Sequence, residues 1–194
     1  MERRSFIKAG VMGFGALAIA NKGFSLEYYP KKSDKKWAVL YSTWCGSSRD
    51  AGVWISEGMD GIADVFDVRE NPNLRPFDHI VVGGSIRMGK VSQELQDYLA
   101  KHKDDLKDKI RGFFIVCGNG KQPTGPEQVK TYIDNHLSQI TGVSGVPAKA
   151  FNGRVTVGLA EPEYKEMLGN FGDYDLMKRA DFMEFGKTIL ASVK

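Results

Sequence analysis

From Trp37 onward, short apolar runs alternate with longer stretches in which apolar residues recur every three or four positions. Runs of the first kind suit strands, and the second spacing lays apolar side chains along one face of a helix. The pattern predicts strands at Trp37–Tyr41, Ile62–Val68, His79–Gly83, Gly112–Cys117 and Arg154–Leu159. It predicts helices over about Ser48–Met59, Ser92–Lys107, Glu127–Thr141 and Leu176–Ser192. For the second helix, Val91, Leu95, Tyr98, Leu99 and Leu106 recur at helical spacing while lysines and aspartates face out. This alternation is that of a parallel sheet covered by helices. The link from Arg69 to Asp78 is too short for a full helix, so a single turn must make that crossover. No internal repeat or low-complexity tract interrupts the pattern, and Val146–Tyr174 carries no placeable motif.

Residues 1–25 differ from the rest: a basic start, a charge-free run from Ala9 to Ala20, then Asn21, Lys22 and Gly23. This is the anatomy of a signal peptide. A helix over the apolar run would be about 18 Å long, short of a hydrocarbon core of about 30 Å, so no stable transmembrane anchor is expected. Arg3-Arg4-Ser5-Phe6-Ile7-Lys8 resembles the twin-arginine (Tat) export signal, with Glu2 where Ser or Thr is commoner. Ala18-Ile19-Ala20 fits a small-x-small cleavage site. The resemblance implies passage through the twin-arginine machinery to a periplasmic or other extracytoplasmic location. The chain then divides into a signal at 1–25, a polar lead-in at 26–36 and one domain at 37–194.

The 194 residues are 42% hydrophobic and 26% charged, which excludes disordered and collagen-like classes. Setting aside Arg3, Arg4, Lys8 and Glu2 leaves 24 basic against 23 acidic residues, so the body is nearly neutral. Its longest charge run, Lys101–Lys109, mixes both signs in the manner of a solvated helix face. Nucleic acid is therefore not an expected partner. The three histidines, His79, His102 and His136, have no second ligand at metal spacing, and no metal site is expected.

In an open parallel sheet, ligands sit beyond the carboxyl ends of the strands. The first strand runs into Ser42-Thr43-Trp44-Cys45-Gly46-Ser47-Ser48-Arg49, which places four hydroxyls and a glycine at a helix start. Hydroxyls and free N–H groups there can surround a phosphate, and the helix dipole favours its charge. A plain Ser-capped helix would use one hydroxyl rather than four. After the third strand comes Gly83-Gly84-Ser85-Ile86-Arg87-Met88-Gly89, and after the fourth, Cys117-Gly118-Asn119-Gly120, whose glycines suit either a plain turn or close approach to a flat polar ring. Gly84–Lys90 matches most of a nucleotide-binding P-loop, but Val91 stands where the Mg²⁺-binding hydroxyl is required.

The first of these loops resembles the FMN phosphate loop of flavodoxins. Ser42, Thr43, Gly46, Ser48 and Arg49 fall on the Ser-Thr-x-x-Gly-x-Thr-Arg form found in flavodoxin-like protoporphyrinogen oxidases, and Gly83–Gly89 resembles that branch's Gly-x-Ser-Ile-Arg-aromatic-Gly loop. The similarity runs from Trp37 to about Asn119. It implies a three-layer α/β/α sandwich with a five-stranded parallel sheet of order 2-1-3-4-5, and noncovalent FMN. On that reading Ser42, Thr43, Trp44, Cys45, Gly46, Ser47 and Ser48 surround the phosphate. Gly84, Ser85, Ile86, Arg87, Met88 and Gly89 flank the ring, and Cys117, Gly118, Asn119 and Gly120 meet its pyrimidine edge. Met88 departs from the branch's aromatic, leaving Trp44 as the one stacking aromatic near these loops. Arg87 could stabilise an anionic reduced flavin or equally pair with a surface carboxylate. With one strand between them, the strands leading to Cys45 and Cys117 lie about 9 to 10 Å apart, beyond the reach of about 7 Å that a disulfide allows. Two buried thiols are expected.

The function implied is electron transfer or a simple flavin redox reaction outside the cytoplasm, with a redox partner protein or a quinone as partner. Two alternatives stay open: a flavin-dependent protoporphyrinogen oxidase, and a flavodoxin-fold binding domain without cofactor.

Overall fold

The computed structural model describes residues 30–118, 121–160 and 162–193. The predicted signal at 1–25 lies outside these residues, as do Asn119 and Gly120. Of the lead-in, 30–36 is described and forms no strand or helix.

Five parallel strands form the central sheet: β1 (Trp37–Ser42), β2 (Ala63–Asp67), β3 (His79–Arg87), β5 (Ile110–Cys117) and β6 (Ala148–Asn152). A short β4 (Lys90–Val91) pairs antiparallel with the end of β3. The order is β2-β1-β3-β5-β6, which among the five parallel strands is the expected 2-1-3-4-5. Period-two alternation splits the central strands between two cores. Ala38, Leu40, Ile80, Val82, Phe113 and Ile115 face a layer holding α2 (Gln93–Lys101), while Val39, Tyr41, Val81, Phe114 and Val116 face the opposite layer. That opposite layer is α1 (Ser47–Gly58) and the C-terminal helix Arg179–Ser192.

Several elements depart from the sequence pattern. The fifth strand lies at Ala148–Asn152, not Arg154–Leu159. Phe113 N donates to Pro147 O (2.9 Å), so pairing with β5 begins one residue ahead of Ala148. It closes with Gly153 N donating to Cys117 O at 2.8 Å. Arg154-Val155 instead forms β7, paired antiparallel with β8 (Tyr174–Asp175), and Val157–Leu159 is a 3₁₀ turn. The Val-rich stretch looks more strand-like than the Ala- and Lys-containing one, but the edge position is taken by the residues that arrive first in register.

The helix predicted over Ser92–Lys107 breaks at His102 into α2 and α3 (Lys103–Leu106). The one predicted over Glu127–Thr141 contains π-helical turns at Lys130–Leu137, between α4 (Pro126–Val129) and α5 (Ser138–Thr141). Helix α6 (Pro162–Gly169) was not predicted, and the last helix, α7, starts at Arg179 rather than Leu176. The Arg69–Asp78 crossover holds a single turn, Val68–Glu70.

Helices α1 and α7 cross at two glycines. A Cβ on Gly186 would lie 2.2 Å from Ile55 O, and one on Gly58 would lie 2.0 Å from Met183 O, so each backbone occupies the space of the other's side chain. Replacing Gly186 with Ala forces the helices apart and should lower unfolding stability by about 2 kcal/mol or more. Urea denaturation will show this as a lower midpoint at unchanged slope.

Candidate functional site

Strand β1 ends at Ser42, which is buried, and the chain turns through Thr43–Gly46 into α1. Gly46 makes the turn at φ 84°, a left-handed conformation at the N-cap where a side chain would be strained. Ser47 and Ser48 follow as the first buried residues of the helix. Four side-chain polar atoms in this segment are buried without a hydrogen-bond partner among the described residues: Ser42 Oγ, Thr43 Oγ1, Trp44 Nε1 and Ser48 Oγ. Each such group costs about 1–3 kcal/mol. Gathered at one strand-to-helix turn, they suit a polyvalent oxygen-rich ligand such as a phosphate.

The second wall is β3. The segment read as a loop, Gly83–Gly89, is strand through Arg87, and only Met88-Gly89 turns the chain, at φ 47° and 79°, into β4. Both values are positive, as a two-residue hairpin turn requires. Arg87 thereby sets its guanidinium against two rings, 4.3 Å from the centroid of Trp44 and 4.2 Å from that of Tyr164. The two rings meet edge to face at 5.1 Å. Trp44 therefore stacks on Arg87 in this structure.

A cavity of about 200 Å³ opens beside this stack. Trp44, Cys45, Ser47, Ser85, Ile86, Arg87, Met88, Cys117 and Gly118 line it, so the three loops picked out by motif meet around one space. Ser42 and Thr43 face a smaller cavity of about 100 Å³, which shares Trp44, Ser85 and Arg87 with the first. Gly46, the N-cap, and Ser48, the second residue of α1, line neither. Gly84 packs against Ser42, and Gly89 faces open space. Arg69 and Glu94 add charge to the smaller cavity. Asp67 holds Arg69 with two side-chain hydrogen bonds, which push the guanidinium further up from its ordinary value.

The far side of the larger cavity carried no motif. It is built by the excursion from Gly153 to Tyr174, whose ends are joined by the β7–β8 ribbon and by Leu176 N donating to Gly153 O at 3.1 Å. Met167 and Leu168 from α6, with Phe171 and Tyr174, form an apolar and aromatic cover. Tyr164 joins that cover to the Arg87 stack. The aromatic residues in the Tyr164–Tyr174 stretch were the only hint available in the sequence.

Cys45 and Cys117 are both buried, form no disulfide and line the larger cavity. Burial pushes the Cys117 thiol up to about 11, and burial followed by the nearby Cys117 raises the Tyr174 phenol. Among the described residues, no group of three or more His, Cys, Asp or Glu could hold a metal, and no helix is long and apolar enough to cross a membrane.

The family model for the flavodoxin domain matches residues 38–158. The chain belongs to the flavodoxin domain family. It is similar to oxidised flavodoxin 1 from Bacillus cereus (TM-score 0.52, 16% identity, 82% of this chain and 99% of that one). It is also similar to a WrbA-like flavodoxin from Agrobacterium tumefaciens (TM-score 0.50, 15% identity, 81% and 94%). Both likenesses concern the fold. Among curated proteins, protoporphyrinogen IX dehydrogenase [quinone] of Escherichia coli K12 is 28% identical over 93 residues, 45% of this chain and 51% of the relative. The chain thus spans about half the length of the curated relatives it matches. Most of the cover over the larger cavity lies beyond the flavodoxin match, which ends at 158.

At pH 8 a thiol at its ordinary value of 9.0 is about one-tenth ionised, and Cys117 only about one-thousandth. In a Cys45→Ser variant, labelling of Cys117 by a thiolate-selective disulfide reagent should be at least about a hundredfold slower in the native protein than in urea. The native rate should rise with pH up to about 11.

Proposed function

We propose that the protein is an FMN-binding flavodoxin that carries electrons, or performs a simple flavin redox reaction, outside the cytoplasm. The observation that carries the reading is the cluster of four buried, unpartnered polar atoms at the β1–α1 turn. Their chemistry fits the phosphate of FMN. Ser42, Thr43, Ser47 and Ser48, with the free N–H groups at the start of α1, would hold that phosphate. Ser85–Met88 and Cys117–Gly118 would flank the ring in the larger cavity. FMN, when bound, supplies the electron-accepting and electron-donating chemistry. The chain supplies position and an apolar wall of Ile86, Val116 and Phe171, and the fixed positive charge of Arg87 would favour electron density on the nearby ring. Asn119 and Gly120, outside the described residues, remain proposed for the pyrimidine edge.

A second reading, oxidation of protoporphyrinogen with a quinone as acceptor, rests on the name of the curated relatives and on the shared loop pattern. Loops that hold a cofactor say little about substrate. The walls that would choose a substrate here belong largely to the cover beyond 158, so electron carriage remains the favoured reading. A redox protein or a quinone is the proposed partner. Export is proposed through the twin-arginine machinery, which translocates folded proteins and suits a domain loaded with cofactor in the cytoplasm; this rests on the motif at Arg3-Arg4 alone.

The visible spectrum of the purified protein, with the cofactor identified after denaturation, tests the reading directly. Ser48→Ala should weaken FMN binding about ten- to a hundredfold, the usual loss for a hydrogen bond to a charged group, while riboflavin binding changes little. Equal loss for both ligands would place the phosphate elsewhere. Replacing Arg3 and Arg4 together with Lys should leave the full-length protein in the cytoplasm, measured by fractionation; normal export of that variant would refute the proposed route.

A further inference from the structure

Arg154 leaves the end of β6 just after Gly153 and turns back over the start of α1, 104 positions away in the chain. Its Nη2 donates to Asp50 Oδ2 at 2.5 Å, and its Nη1 lies 3.5 Å from Asp175 Oδ2. Arg49 Nη2 donates to the other oxygen of Asp50 at 3.1 Å. A Cβ built on Gly46 would lie 3.9 Å from Arg154 Nη2 and 4.0 Å from Arg49 Nη2. Two guanidiniums therefore flank the residue that opens α1, and the carboxylate between them stands in the first turn, where the helix dipole favours negative charge.

The two arginines differ in setting. The Arg49 side chain is 61% exposed, whereas that of Arg154 is 24% exposed and lines the larger cavity with Ser47. The hydrogen bond to Asp50, outweighing desolvation, raises Arg154 above its ordinary value, and the guanidinium is cationic in any case. A guanidinium has five N–H donors in a planar fork, enough to serve Asp50 and a phosphate together. Arg49 also pairs with Asp50, so the carboxylate stays screened without Arg154, and what Arg154 adds for an incoming dianion is its spare donors. At the same helix start, two residues after Gly46, Ser48 is fully buried and its Oγ has no hydrogen-bond partner among the described residues, an unmet group of the kind a bound phosphate satisfies.

We infer that Arg154 is a phosphate-binding residue of this chain, its guanidinium bridging Asp50 and the phosphoryl oxygens of a flavin mononucleotide held at the start of α1. The inference rests on the FMN reading above and adds to it a direct cation contact supplied from the carboxyl end of the edge strand β6. It also links occupancy of the phosphate cradle to the cover over the ring, because Arg154 is the first residue of the β7–β8 ribbon on which that cover is hinged. A purely structural Arg154 would pin the ribbon to α1 through Asp50 and nothing more.

The two roles separate when FMN and riboflavin are titrated, by quenching of flavin fluorescence, into wild type, R154Q, D50N and the double variant. Direct contact predicts that R154Q loses about ten- to a hundredfold in FMN affinity, with riboflavin affinity unchanged within about twofold. It also predicts that the double variant binds FMN as weakly as R154Q, since removing Asp50 cannot replace the lost donors. Wild-type FMN affinity in R154Q, or its recovery in the double variant, overturns the inference. Circular dichroism and the urea midpoint establish that each variant is folded. If R154Q is not, R154K takes its place, with the preference for FMN over riboflavin expected to narrow by about tenfold and an unchanged preference counting against the inference. A wild type that binds FMN no better than riboflavin would sink the phosphate reading and this inference together, whereas a strong preference untouched in R154Q sinks the inference alone.

Discussion

Strand β1 is buried along its whole length and hydrogen-bonded on both edges, to β2 from Trp37 to Tyr41 and to β3 from Trp37 to Ser42. Side chains of alternating residues enter two different cores, so a shift of one residue would exchange Val39 and Tyr41 with Ala38 and Leu40 and disrupt both layers. Register is consequently over-determined, and with it the point at which Ser42 reaches the carboxyl edge of the sheet. The same ladder places Ser42 beside Gly84 and, one strand further on, Gly84 beside Ile115. Three loops far apart in the chain meet because three adjacent parallel strands deliver them to the same edge of the sheet.

That rigidity lets the β1–α1 turn carry an energetic burden. Buried hydroxyls normally find partners within the fold, and Ser56, whose Oγ donates to Ala63 O, does so on the same helix. Ser42, Thr43 and Ser48 do not, although they occupy one of the best-anchored corners of the sheet. Unmet polar groups of this kind are tolerated where surrounding packing holds them in place, and here Ala51 and Ile55 fasten α1 beneath them.

The cover over the larger cavity is held differently. Few of its residues enter either core; it hangs from a two-residue ribbon and rests on the Trp44–Arg87–Tyr164 stack. Segments attached by so few buried apolar contacts open at lower free-energy cost than the sheet below them. The site thus combines a fixed floor with a detachable wall, an arrangement suited to admitting a cofactor or a partner without disturbing strand register.

Much of the fold was legible locally. Four of the five parallel strands and the hydroxyl-rich turn follow from apolar runs and a short motif, because β propensity, burial on both faces and helix-start chemistry are written in neighbouring residues; the order 2-1-3-4-5 comes from the family resemblance that the loop motifs carry. The fifth strand was not legible: Ala148–Asn152 has a weaker strand pattern than Arg154–Leu159 and becomes a strand only because Pro147 reaches the edge of β5 in register. The extension of β3 through Arg87 depends in the same way on its β4 and β5 partners. Nor does any spacing in the chain announce that Arg154 would reach Asp50 across 104 positions, or that Tyr164 would close on Arg87. Local patterns set which segments can be strands and which turns can hold an anion. Which distant side chains complete the site was decided by tertiary packing, since those contacts exist only once the sheet edge has directed the chain back across its own ligand-facing end.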